Sequence, residues 1–193
     1  LWDSQGRKYL DGNSSIWTNI HGHCRPEIAE AIAEQAATLD HSSYLGLGHP
    51  LASELAGKLV SFFPPETLER VFFSDNGSTA VEAALKMSLQ SRMQTGQGSR
   101  ARFLAFDNAY HGDTLGAALL GGVNRFFSRF RNLGFETQFL SSIADLASVD
   151  PSTVTAVVIE PLIQGVNEMR PWPAGMLREL RKWTADNGIH LIL

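Results

Sequence analysis

The sequence predicts an α/β fold: a mostly parallel sheet with helices on both faces, preceded by an N-terminal hairpin and helix segment. Three observations lead there. Short, almost purely apolar runs at 71–73, 103–106 and 156–159 suit strands buried on both faces better than half-exposed ones. Stretches of helical period at 81–89, 115–120 and 176–183 alternate with them. No linker rich in Pro, Gly or Ser interrupts the chain, and no internal repeat divides it.

The elements follow in order. Residues 2–12 read as two short strands around a turn at Ser4 to Gly6. Residues 13–24 form a polar and aromatic loop with Trp17, His21 and His23, leading to Pro26, a good first helical residue. Helical spacing runs from there to Leu39, breaks over 40–50, and resumes through Leu51, Leu55 and Leu59 until Pro64-Pro65 ends it. A division into an N-terminal segment, 1–50, and the first part of a larger domain, 51–193, matches this order.

Residues 71–82 read as a strand, a tight turn at Asp75-Asn76-Gly77 and a helix start, with Thr79 and Glu82 spaced as a capping box. Val81, Ala84, Leu85, Ser88 and Leu89 form the inner face of that helix, while Glu82 and Lys86 pair outside it. A strand at 103–106, a polar turn over 107–114 and a helix to Leu120 repeat the pattern. An irregular aromatic and arginine-rich segment follows at 126–135, then strands at 137–140 and 156–159, a helix from Met176, and a last strand from Ile189. In parallel sheets ligands bind beyond the carboxyl ends of strands. That rule gathers the loops 75–79, 108–114 and 160–165 on one edge as a shared site, and the first of them, at a helix start, suits a phosphate.

Composition narrows the function. The 193 residues can bury roughly 70% of their unfolded surface. A net charge of −4 without a basic patch argues against nucleic acid. The single cysteine, Cys24, excludes an intrachain disulfide and a multi-thiolate zinc site, and a reducing cytoplasm is the simplest home. No apolar run is long enough to span a bilayer. The absence of an initiator Met and an end inside an apolar strand at Leu193 predict a fragment.

Familiar motifs fail one by one. No Gly-Lys-Ser/Thr triplet forms a P-loop, Gly46 and Gly48 do not follow a strand, and Ser78 lacks the flanking glycines of a hydrolase elbow. The histidines 21, 23 and 111 show no metal-ligand spacing and read as structural. His111 and Asp113, two apart on a turn, do not make an obvious acid/base pair, although one of them alone can act.

Several ordered motifs resemble the class III, fold type I, pyridoxal-phosphate aminotransferases over essentially the whole chain. They are Trp2-Asp3-x-x-Gly6-Arg7-x-Tyr9-Leu10-Asp11, Gly22-His23-x-x-Pro26, Phe73-Ser74-Asp75-Asn76-Gly77-Ser78-Thr79 through Lys86, Tyr110-His111-Gly112, and Ile159-Glu160-Pro161 through Gly165. Each is weak alone; their order and spacing together are specific. Ser14-Ser15-Ile16-Trp17 and Asp113 point within that class toward the branch that aminates 8-amino-7-oxononanoate from S-adenosylmethionine in biotin synthesis.

The resemblance implies roles. Gly77, Ser78 and the backbone of Thr79 would receive the cofactor phosphate, Tyr110 would stack on its ring, and Glu160 would support it. Trp17 and Asp113 would shape the substrate pocket, and the family's dimeric habit implies a homodimer. It also implies a lysine that holds pyridoxal phosphate covalently and an Asp on its ring nitrogen. The four lysines, 8, 58, 86 and 182, do not follow a strand into a pocket loop, so no catalytic residue is assigned in this chain. A helix start worth roughly 0.3–1 kcal/mol toward an anion, up to about 2, and a stack worth about 0.5–1.5 leave only weak cofactor binding without them. Alternatives are another class III ω-aminotransferase with a different donor, and a non-catalytic cofactor-binding module.

Overall fold

The computed structural model describes residues 1–193 and groups them into two compact units, 1–71 and 72–193. In the first unit Trp2 and Lys8 form an antiparallel bridge. The turn between them is closed by the Gly6 N–H donating to the Asp3 carbonyl at 3.0 Å. Asp3 Oδ1 accepts the N–H groups of Gln5 and Arg7, both at 2.9 Å, so one carboxylate holds the expected turn, while the two expected strands are reduced to this single bridge.

A single turn, α1 (Ser14–Trp17), follows, in which all four residues take left-handed φ between 50° and 69°. For L-residues that conformation costs about 1–2 kcal/mol each. The helices α2 (Pro26–Thr38) and α3 (Pro50–Val60) each begin on a proline, whose missing N–H would have had no helical partner. Their apolar stripes are only partly covered: Ile32 is 65% exposed and Leu55 49%.

The second unit holds the core. Its elements are α4 (Gly77–Gln94), β1 (Arg102–Phe106), α5 (Leu115–Leu119), α6 (Asn124–Phe127), β2 (Thr137–Leu140), β3 (Val154–Val158), β4 (Ile163–Gln164), β5 (Arg170–Pro171), α7 (Met176–Asp186) and β6 (His190–Ile192). Four strands form a wholly parallel sheet in the order β2-β1-β3-β6. Side chains alternate across it, as a strand's period of two requires. Phe103 and Ala105 join Leu85 of α4 and Leu120 on one face. Leu104 and Phe106 join Met176 and Leu180 of α7 on the other. The α/β reading with both faces covered therefore holds.

Four local expectations are corrected. Residues 71–73 form no strand, because the four paired strands lie together and this run has no ladder beside it; Phe72 stays 65% exposed. The cap of α4 is Asn76, not Thr79 with Glu82. Asn76 is extended, and its amide oxygen accepts the Thr79 N–H at 3.0 Å while Thr79 Oγ1 accepts the Asn76 N–H at 3.1 Å. Glu82 does not pair with Lys86; its Oε1 accepts the N–H groups of Gly116 and Ala117 at the start of α5. The segment 126–135, expected to be irregular, instead carries the end of the short α6 and a 3₁₀ run over Ser128–Leu133.

Candidate cofactor site

All three predicted loops meet at the carboxyl edge of the sheet, within the second unit. The first is the start of α4. Asn76 takes the Thr79 N–H, and the Ala80 N–H goes to the Asn76 carbonyl. The N–H groups of Gly77 and Ser78 have no acceptor in the chain and point from the positive end of an 18-residue helix. Of the three residues expected to receive a phosphate, these two have open donors; the Thr79 N–H is committed to the cap.

Ser78 also fastens the second loop. Its Oγ accepts the Asp113 N–H at 3.2 Å, and Thr114 Oγ1 donates to its carbonyl at 3.4 Å. One turn further along the same face of α4, Glu82 satisfies the first N–H groups of α5. Gly112, just ahead of these ties, takes φ +125°, and a Cβ there would stand 2.8 Å from Ser78 Cβ. No side chain fits there, so the backbone of the loop packs directly against Ser78.

Tyr110 and Asp113 occupy that loop. The Tyr110 hydroxyl donates to Asp113 Oδ2 at 2.7 Å, and this bond, with burial and the carboxylate charge, raises the phenol to about 12. The ring is therefore neutral at any physiological pH, and it lies 6.0 Å from the Phe127 ring. His111 differs. Burial pushes its imidazole down to about 4, and its Nε2 is enclosed without a hydrogen-bond partner. It is a neutral histidine at pH 7.

The third loop is organised by Glu160. Its Oε1 accepts the Tyr110 N–H at 3.0 Å and its Oε2 the Gly165 N–H at 2.8 Å, so one carboxylate joins the loops after β1 and β3. Its carbonyl accepts Trp172 Nε1 at 2.8 Å. Leu162, at φ +65°, turns the chain into the β4–β5 ribbon. That ribbon was not foreseen. Glu168 and Met169 both take left-handed φ at its tip, the geometry of a type I′ turn, and neither has the Asn or Gly that usually signals one.

Gly77, Ser78, Tyr110 and Glu160 line one cleft of about 400 Å³, together with His111 and Gly112. Asp113 stands beside it, bound to Tyr110. Trp17 belongs to the first unit, on α1, and is 56% exposed. No lysine lines the cleft: Lys58 pairs with Glu54 and Lys182 with Asp186, each at 2.6 Å, and Lys8 lies over Trp2. No three His, Cys, Asp or Glu side chains gather as a metal site. Residues missed by sequence reasoning are Asn76, Glu82 and Gly112. Asn before Gly at a helix start was a readable cap signal; the partners of Glu82 and Gly112 lie more than 30 residues away.

A sequence model of the family described as Aminotransferase class-III matches residues 1–193. The chain belongs to that family. It is 41% identical to the adenosylmethionine-8-amino-7-oxononanoate aminotransferase of Geobacter sulfurreducens over 98% of its length and 47% of the relative's. The crystal structure of the Methanocaldococcus jannaschii enzyme of the same name superposes with a TM-score of 0.92 at 36% identity, over 98% of this chain and 45% of that one. A PLP-bound amine transaminase from an uncultivated Pseudomonas species superposes at 0.84 with 29% identity, over 98% and 48%. The chain thus spans about half the length of the aminotransferases it matches.

Class-III aminotransferases depend on pyridoxal phosphate. The residues present fit part of that cofactor. Two free N–H donors at a helix start suit a phosphate dianion, and Gly112 adds no side chain of its own beside that of Ser78. The uncharged Tyr110 ring offers a face for stacking.

Proposed function

We propose that the full-length protein transfers an amino group from S-adenosylmethionine to 8-amino-7-oxononanoate, giving 7,8-diaminononanoate. The observation that carries this reading is the joining of three loops by Ser78 and Glu160 around an open helix start, in a chain similar over its whole length to enzymes of that name. Pyridoxal phosphate, when bound, supplies the electron sink that makes an amine's α-proton acidic.

The chain's own residues bind and orient. Gly77 and Ser78 would hold the phosphate, with Thr79 stabilising the helix start behind them through the Asn76 cap. Tyr110 would cover the ring, and Glu160 would fix Tyr110 by its backbone. Asp113 would offer its second oxygen to a substrate ammonium while its first holds the Tyr110 hydroxyl. Trp17 would give the substrate an apolar wall. The lysine that moves the proton and the Asp facing the ring nitrogen are not among the residues of this cleft, and we assign them to the rest of the protein.

On this reading 1–50 is an N-terminal segment and 51–193 the first part of the large cofactor domain, in a homodimeric cytoplasmic enzyme. No helix here is long and apolar enough to cross a membrane. Similarity to an amine transaminase supports a second reading, a class-III enzyme with a different amine donor. Assay of the full-length holoenzyme separates the two. Formation of 7,8-diaminononanoate with S-adenosylmethionine as sole donor is expected; turnover with a simple amine and none with S-adenosylmethionine would transfer the assignment to the second.

A further inference from the structure

We propose that Asp11 is the positioning residue of the loop that carries Trp17, tying its two ends together through Ser15 and His23. One carboxylate oxygen makes both ties. Asp11 Oδ2 accepts the Ser15 hydroxyl at 3.0 Å and meets His23 Nε2 at 2.6 Å. These contacts hold the Asp11 carboxyl down to about 2, with His23 the larger cause. The Asp11 side chain is 12% exposed and that of His23 30%, so the ion pair sits at a partly covered surface.

What lies between the two ties needs holding. Ser14, Ser15, Ile16 and Trp17 are all left-handed, a conformation that non-glycine residues keep only where their surroundings over-determine it. Within the loop the Trp17 N–H donates to the Asn13 carbonyl at 2.9 Å and the Thr18 N–H to the Ser14 carbonyl at 3.0 Å. No hydrophobic core helps: Ile16 is 72% exposed and Trp17 56%. The Asp11 carboxylate is the group that reaches the strained turn from one side and the loop's far end from the other. Its effect on catalysis rests on the reading above, in which Trp17 walls the substrate pocket.

Hydrogen exchange on the full-length holoenzyme tests the tie directly. In Asp11→Ala the amides of Trp17 and Thr18 should exchange at least tenfold faster, with amides of β1 and β3 unchanged. The acceptor's KM should rise about fivefold or more, by a larger factor than kcat falls. If Asp11→Ala does not fold, Asp11→Asn, which keeps an acceptor for Ser15 but loses the charge facing His23, should show the same pattern at about threefold. Unchanged exchange at Trp17 and Thr18, or equal acceleration throughout the protein, overturns the proposal. Trp17→Ala separates the underlying reading: if acceptor KM does not move in that variant, the substrate-wall role fails, while the exchange result still decides whether Asp11 holds the loop.

Discussion

The two units of the molecule are built on different principles. In 1–71 no residue is buried, yet a hairpin and two helices form. Each is specified within a few neighbouring residues: Asp3 ties its own turn, and Pro26 and Pro50 open their helices. In 72–193 the order reverses. Phe103, Leu104, Val157 and Leu180 are fully enclosed, and the groups that shape the cleft find partners 34 to 50 residues away. Local signals suffice to make elements; only long-range ties make a site. That contrast also explains why the predicted cofactor residues cluster in the second unit, where strand ends supply fixed anchors.

The contrast breaks first under core truncation. Leu104→Ala should cost about 2–5 kcal/mol, because it removes a side chain packed between β1 and α7. Ile32→Ala, at 65% exposure, should stay within about 0.5. Urea denaturation of both variants of this chain measures the difference, and equal costs would show that the first unit has a core after all.

Acid should separate the units next. His111 stays neutral down to about pH 4 when folded, whereas an unfolded histidine binds a proton near 6.5. Between those values the unfolded state holds more protons, so stability falls as pH drops from 6.5 to 4, by roughly 3 kcal/mol in all. His111→Asn should flatten that slope. Asp11, held at about 2 against 3.8 unfolded, works in a lower window. Its contribution is complete above pH 3.8 and is lost as pH falls toward 2. Stability profiles of wild type and His111→Asn from pH 3 to 7 check the assignment; an unchanged slope between 4 and 6.5 would place the titration elsewhere.

The smallest expected effect concerns caps. Asn76→Ala should destabilise the second unit by about 1 kcal/mol by releasing the Thr79 N–H. Arg25 caps no N–H of α2 and makes only an exposed ion pair with Glu27 at 3.2 Å, and Arg25→Ala should change stability by only about a few tenths of a kcal/mol. Thermal unfolding of the two variants ranks them, and a larger loss at Arg25 would contradict the cap assignment.

Much of the fold was legible because its signals are short-range. Apolar runs marked β1, β3 and β6, prolines marked the starts of α2 and α3, and strand–loop–helix alternation located the three site loops. Residues 71–73 misled for the same reason: a β-rich run reads as a strand whether or not a neighbour exists to pair with it. The β4–β5 ribbon was invisible because its turn is made by Glu168 and Met169, residues with no preference for the conformation they adopt.

For the site, sequence alone determined which residues stand at strand ends and helix starts, since those follow from periodicity and capping within a dozen positions. That record marks Ser78, Glu82 and Glu160 but not the groups they bond to. Only the tertiary structure decided that Ser78 would grip the Asp113 loop, that Glu82 would turn inward to cap α5, and that Glu160 would join two loops with its two oxygens. A hydrogen bond between residues far apart in sequence exists only after the sheet has brought their strands together, so the chain's local chemistry cannot announce it.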